Sequence, residues 1–153
     1  MAVDRVTPTA HTYSAAISAA ARGRSMTKAM AMLAAMRRTG VQPDLITYSS
    51  LISACAKARS WERALELLEE ARKDGLTPNL YTYTTAMSAC SKGGQYERAL
   101  ELLHEMRDTG ITPDNTAYSV AIDACEKSGR WQTALQLLED MRIAGLAPEE
   151  GKN

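Results

Sequence analysis

From Leu45 to Gly75 the apolar positions recur at helical spacing, break, and recur again on a different face. At about 100° per residue, Tyr48, Leu51, Ile52 and Cys55 of LITYSSLISACAKAR gather on one side of a helix, and Ile46, Ser49, Ser53 and Lys57 gather opposite. The next segment, WERALELLEEARKDG, puts Trp61, Ala64, Leu65, Leu68 and Ala71 on one side and Glu62, Glu66, Glu69, Glu70 and Lys73 on the other. That is the pattern of an amphipathic packing helix. Ser60 is placed to cap it, Gly75 suits a left-handed helix terminus, and Pro78 prevents continuation. The pattern predicts a helical hairpin.

The hairpin repeats. Pro8, Pro43, Pro78, Pro113 and Pro148 stand 35 residues apart, as do Tyr13, Tyr48, Tyr83 and Tyr118, and Ala29, Ala64, Ala99 and Ala134. Gly40, Gly75, Gly110 and Gly145 each precede a proline by three; at the first proline Arg5 takes that place. A fixed period of this length signals a repeat architecture. The units are taken as residues 10–44, 45–79, 80–114 and 115–149, with 1–9 as the tail of an upstream repeat or a linker and 150–153 as a C-terminal tail. The polar face of the first helix recurs as His11, Ser14, Ser18 and Arg22, then Tyr81, Thr84, Ser88 and Lys92, then Thr116, Ser119, Asp123 and Lys127. Stacked hairpins bury their apolar faces and align equivalent helices. The hydroxyls and cations then line one groove, suited to a polymer with a repeating charged backbone.

Composition narrows the class. The 153 residues are 45% hydrophobic with no Phe, and Ala, Leu and Met dominate, which favours closely packed helices and an all-α fold. Lys plus Arg number 18 and Asp plus Glu number 18, so no global positive field points to nucleic acid and any such function rests on local patterning. No apolar run reaches the roughly 20 residues of a membrane span, and no signal segment opens the chain. Cys55, Cys90 and Cys125 recur at the period with Ala20 at the equivalent place, which marks small core positions rather than metal ligands or disulfides. His11 and His104 form no recurring constellation, and no nucleophile, general base, phosphate loop, metal or cofactor motif emerges.

The period, the Tyr-plus-hydroxyl entry to the first helix, the ERALELLxEMR type of second helix and the GxxPD ending resemble pentatricopeptide repeat proteins of the plain 35-residue kind. The resemblance spans residues 10–149. It implies a right-handed α-solenoid of about four repeats that binds single-stranded RNA, about one base per repeat, each base read by two side chains. One follows the recurring Tyr and the other follows the proline closing the unit, giving Ser14 with Asp44, Ser49 with Asn79, Thr84 with Asp114, and Ser119 with Glu149. Asp only accepts hydrogen bonds, which suits the donor-rich edge of guanine, whereas the Asn amide also donates to an acceptor on adenine. In the family, Thr or Ser with Asp favours G and with Asn favours A. The expected order is 5′-G-A-G-N-3′, the last base open because Ser119 with Glu149 departs from the usual pairs.

The resemblance further implies base stacking on His11, Ile46, Tyr81 and Thr116, of which Thr116 is a poor platform, and phosphate contact by Arg22, Lys57, Lys92 and Lys127. Family editing or ribonuclease activities reside in appended domains, so no catalysis is expected of this chain. The expected setting is a mitochondrion or chloroplast, in transcript stabilisation, splicing, processing or translation. The alternative is a protein-interaction scaffold inside a mitochondrial ribosome or plastid transcription complex, motivated by the neutral charge and the irregular fourth unit. Four repeats suggest either part of a longer array or action within a larger complex. An uncapped solenoid end is expected to permit self-association.

Overall fold

The computed structural model describes residues 10–22 and 26–146. Eight α-helices of 13 residues occupy them: α1 (Ala10–Arg22), α2 (Met26–Arg38), α3 (Leu45–Lys57), α4 (Trp61–Lys73), α5 (Leu80–Lys92), α6 (Tyr96–Asp108), α7 (Asn115–Lys127) and α8 (Trp131–Ile143). No strand occurs among the described residues, and no described helix is long and apolar enough to cross a membrane.

Each helix end follows from local chemistry. Gly75 takes φ +84°, its N–H reaching Arg72 O while that of Leu76 reaches Ala71 O, which closes α4 in a Schellman-type turn. Asp44, Asn79 and Asp114 are extended and accept from the backbone N–H three residues on, capping α3, α5 and α7. The turn inside each hairpin is tighter. Ser60 stands at the N-cap of α4 but its side chain makes no cap bond, contrary to the sequence expectation. Its own N–H is taken by Cys55 O, so the residue serves the end of α3 at a ψ of 73°. Gln95 and Arg130, at the same place, also leave their helices without a side-chain cap. Arg59 adopts φ +59° where Gly94 and Gly129 stand in later turns, a backbone choice costing roughly 1 kcal/mol for a side chain with Cβ.

The first helices pack consecutively, α1 on α3, α3 on α5 and α5 on α7; each second helix packs on its own partner, and α2, α4 and α6 also pack on the following first helix. This produces an array of helical hairpins. Small buried residues, Ala54, Ala56, Ala86, Ala89, Ala121 and Ala124, let the first helices approach closely. The core follows the expected faces: Tyr48, Leu51, Ile52 and Cys55 are fully buried, as are Ala64 and Ala71 across the hairpin. Gly93 belongs to this packing, because a Cβ there would stand 2.4 Å from Trp61 Cδ1.

Candidate nucleic-acid interface

The side chains that the resemblance pairs lie at the junctions between hairpins: Ser14 bonds Asp44, Ser49 reaches Asn79 through Thr82, and Thr84 and Asp114 line one cavity. Being flanked on two sides, the first helices bury positions that a lone amphipathic helix would leave wet. Ser14 and Ser49 are only 6% exposed. Ser14 Oγ donates to Asp44 Oδ1 at 3.2 Å and meets Thr47 Oγ1, while Thr47 donates to the same carboxylate oxygen from both N (2.9 Å) and Oγ1 (2.7 Å). One junction later, Ser49 Oγ meets Thr82 Oγ1 at 3.0 Å, and Thr82 gives Asn79 Oδ1 its N–H at 3.0 Å and its hydroxyl at 2.8 Å. At the third junction Asp114 Oδ1 accepts from Ala117 N at 2.9 Å, and Thr84 Oγ1 is buried with no partner.

The caps decide which chemistry each junction offers to a ligand. Burial pulls the Asp44 carboxyl upward, but the hydrogen bonds from Thr47 and Ser14 outweigh it and hold the group below the usual carboxylate value. It remains an acceptor. In Asn79 the capping bonds occupy Oδ1, which leaves the Nδ2 amide as the donor end. Asp114 presents its second oxygen. A cap whose inner atom is fixed by a helix N-terminus thus turns Asp or Asn into an oriented acceptor or donor.

Two cavities open beside these caps. One of about 200 Å³ is lined by Leu45, Ile46, Ser49, Ser50, Asn79 and Tyr81. The next, about 470 Å³, brings together Tyr81, Thr84, Asp114 and Thr116 with Lys57 and Lys92. Ile46 and Tyr81 are 65% and 57% exposed, far more than apolar or aromatic side chains placed for packing, and Tyr81 is a wall common to both cavities. Lys57 and Lys92 are exposed, as is Arg22. Lys127 is engaged instead, its Nζ 3.1 Å from Asp123 Oδ2 one turn earlier. Ser119 is half-buried and Thr116 exposed. Glu149 and the side chain of His11 lie outside the described residues, so the fourth pair and the first stacking position are incomplete here.

A second recurring constellation escaped the sequence reading. Arg37 and Asp74 both bond the Tyr48 hydroxyl, Arg72 and Glu105 that of Tyr83, and Arg107 that of Tyr118, with Arg107 also 3.1 Å from Asp140. Arg72 and Arg107 lie over the rings they bond, 5.7 and 5.4 Å from the centroids. Burial, then the hydrogen bond to Asp74, pushes the Tyr48 hydroxyl well above its ordinary range and keeps it protonated. The signal was present, since Arg37, Arg72 and Arg107 also recur every 35 residues. Their partners lie in different hairpins, so period alone could not pair them. Cys55, Cys90 and Cys125 are buried, and burial raises the first two thiols to about 12 and about 11, which keeps them unreactive. Among the described residues no three His, Cys, Asp or Glu side chains gather as metal ligands.

A family model described as the pentacotripeptide-repeat region of PRORP matches residues 1–152. The chain belongs to the pentatricopeptide repeat family. Solved structures of the family superpose on the repeat array. The pentatricopeptide repeat protein PPR10 from maize is 26% identical at a TM-score of 0.82 over 94% of this chain. PPR10 in complex with an 18-nt psaJ RNA element is 29% identical at 0.81 over 92% of it. The chain spans about a fifth of the length of PPR10, 21% and 20% in the two structures. The PPR domain of Arabidopsis thaliana protein-only RNase P 1, in complex with tRNA, gives 0.83 at 22% identity over 94% of this chain and 76% of its own, a likeness of fold. A comparison with curated proteins finds no match.

Proposed function

We propose that this pentatricopeptide repeat chain is a sequence-selective binding module for single-stranded RNA, reading about one base per repeat. One observation carries the proposal: Ser49 and Asn79 converge on a cavity walled by Ile46 and Tyr81, and the same arrangement recurs with Thr84, Asp114, Tyr81 and Thr116. Each cavity offers an apolar or aromatic face for a base and a fixed polar group for its edge. Capping leaves acceptors on Asp44 and Asp114 and a donor on Asn79, which supports the order G-A-G with the fourth base open. The capture of RNA by PPR10 supports the class of ligand. By occupying a single strand, the module would exclude nucleases and competing structure in the processing, splicing, stabilisation or translation of organellar transcripts, without catalysis.

Binding of a short unstructured RNA containing GAG, followed by fluorescence anisotropy over a salt series, tests this directly. The double substitution K57A/K92A is expected to weaken binding equally for all sequences and to reduce the slope of log K against log salt by about 1.4, two phosphate contacts at about 0.7 each for a single strand. Failure of a folded, monodisperse sample to bind any RNA at low salt would sink the proposal and favour a protein scaffold.

Self-association through the end of the solenoid is a separate reading, and one observation favours it. Trp131 and Leu135 on α8 are 64% and 55% exposed, whereas their counterparts Tyr96 and Leu100 on α6 are half-buried and buried. Arg142 continues the row of Arg37, Arg72 and Arg107, and its partner among the described residues is Glu139 of its own helix. We infer that a second copy continues the stack head to tail, bringing its Tyr13 to Arg142, a heterologous contact of the kind that extends rather than closes. Sedimentation over a concentration series is expected to show a mass above the monomer, abolished by Leu135→Glu. A monomer independent of concentration contradicts it.

A further inference from the structure

The three junctions differ at one position, the third residue of the following first helix. Thr47 and Thr82 each insert a hydroxyl between the two side chains assigned to one base; Ala117 cannot. Where the Thr is present, the serine hydroxyl of the preceding repeat is already satisfied, Ser14 by Thr47 and Asp44, Ser49 by Thr82. Where it is absent, Thr84 Oγ1 is left buried without a partner, and Thr84 stands in the wall of the 470 Å³ cavity beside Asp114. A buried hydroxyl without a partner is costly and needs an explanation.

We propose that the residue at 47, 82 and 117 is a specificity-determining position: a threonine there locks the hydroxyl of the preceding repeat, and Ala117 frees Thr84 to make its site the most discriminating of the three described junctions. The inference rests on the RNA-binding proposal above. A base that engages Ser14 or Ser49 exchanges an internal bond for a new one, and the net gain is small. A base that engages Thr84 breaks no internal bond, because Thr84 Oγ1 has no partner to give up. The difference of one net hydrogen bond corresponds to roughly two- to tenfold in discrimination between bases.

Three substitutions test this with RNAs varied one base at a time. Ala117→Thr is expected to lower discrimination at the base assigned to Thr84 and Asp114 by about two- to tenfold, whereas Ala117→Val, of the same volume but without a hydroxyl, should not reproduce that loss. Thr82→Ala is expected to raise discrimination at the preceding base by a similar factor. Without RNA, Ala117→Thr should melt about 2–4 °C above Ala117→Val, because it satisfies Thr84. If the two variants melt together and discriminate alike, no lock exists and the inference is overturned. A wild type indifferent to base at every position overturns the RNA-binding proposal and this inference with it. A selective wild type whose preferences Ala117→Thr leaves unchanged overturns the inference alone.

Discussion

Tyr83→Ala is expected to lower the stability of the array by about 3–5 kcal/mol, measured by urea unfolding. The ring is 2% exposed in the middle of the first-helix row, so its removal leaves a cavity that packing on both sides cannot close. The hydroxyl adds a separate contribution. It accepts from Arg72 at 2.9 Å and donates to Glu105 at 3.4 Å, joining the second helices of two successive hairpins through the first helix between them. Tyr83→Phe isolates this part and is expected to cost about 0.5–1.5 kcal/mol, since Arg72 and Glu105 keep each other as partners. In a repeat array, stability is the sum of unit and interface contributions, so the alanine variant weakens two interfaces at once. Against a total of about 5–15 kcal/mol for a domain, that loss populates partly unfolded arrays. A cost below about 1 kcal/mol for the alanine variant would contradict the packing described.

Tyr81→Ala is expected to have the largest effect on RNA of any single substitution, a loss of about 1–3 kcal/mol, or roughly 5- to 150-fold in affinity. Its ring walls both cavities, so selectivity should fall at the two bases assigned to Ser49 with Asn79 and to Thr84 with Asp114. Stability should change by less than about 0.5 kcal/mol, because the side chain is more than half exposed. Tyr81→Phe keeps the stacking face and is expected to bind nearly as wild type. Anisotropy titrations of both variants against the same RNA separate stacking from hydroxyl chemistry. Unchanged affinity in Tyr81→Ala would mean that the base does not sit between Ile46 and Tyr81.

The fold was legible because repetition multiplies weak signals. A single Gly-x-x-Pro is an ordinary turn, but its return every 35 residues beside Tyr48, Tyr83 and Tyr118 places helix ends and core faces together. Ile46 and Tyr81 came as stacking positions from the family resemblance, not from the residue pattern; what the structure adds is that both side chains are exposed beside the cavities. The burial of Ser14 and Ser49 was not legible, because it arises from a neighbouring hairpin approaching over small alanines. Nor was the double duty of Asp44, Asn79 and Asp114. Counted as the last residues of their units, they act physically as the caps of the next helix, and in the proposed RNA-binding role the same cap bond would orient the polar end toward the base. Threonine at 47 and 82 and alanine at 117 were visible in the sequence, yet only the junction geometry gives that difference a meaning. Ser60 misled, since a serine before a helix caps it only when the preceding turn leaves its backbone extended.

The most direct measurement is the base preference of Asn79→Asp. Asp44 and Asp114 already cap α3 and α7 with the same Oδ1 geometry, so the substitution should leave α5 and the fold intact while replacing a donor amide with an acceptor. Anisotropy with RNAs that differ only in the middle base of GAG, at two salt concentrations, is expected to show wild type favouring A and the variant favouring G, each by about tenfold. Binding that ignores both the middle base and the substitution would leave only electrostatic affinity and would contradict modular readout by Asn79.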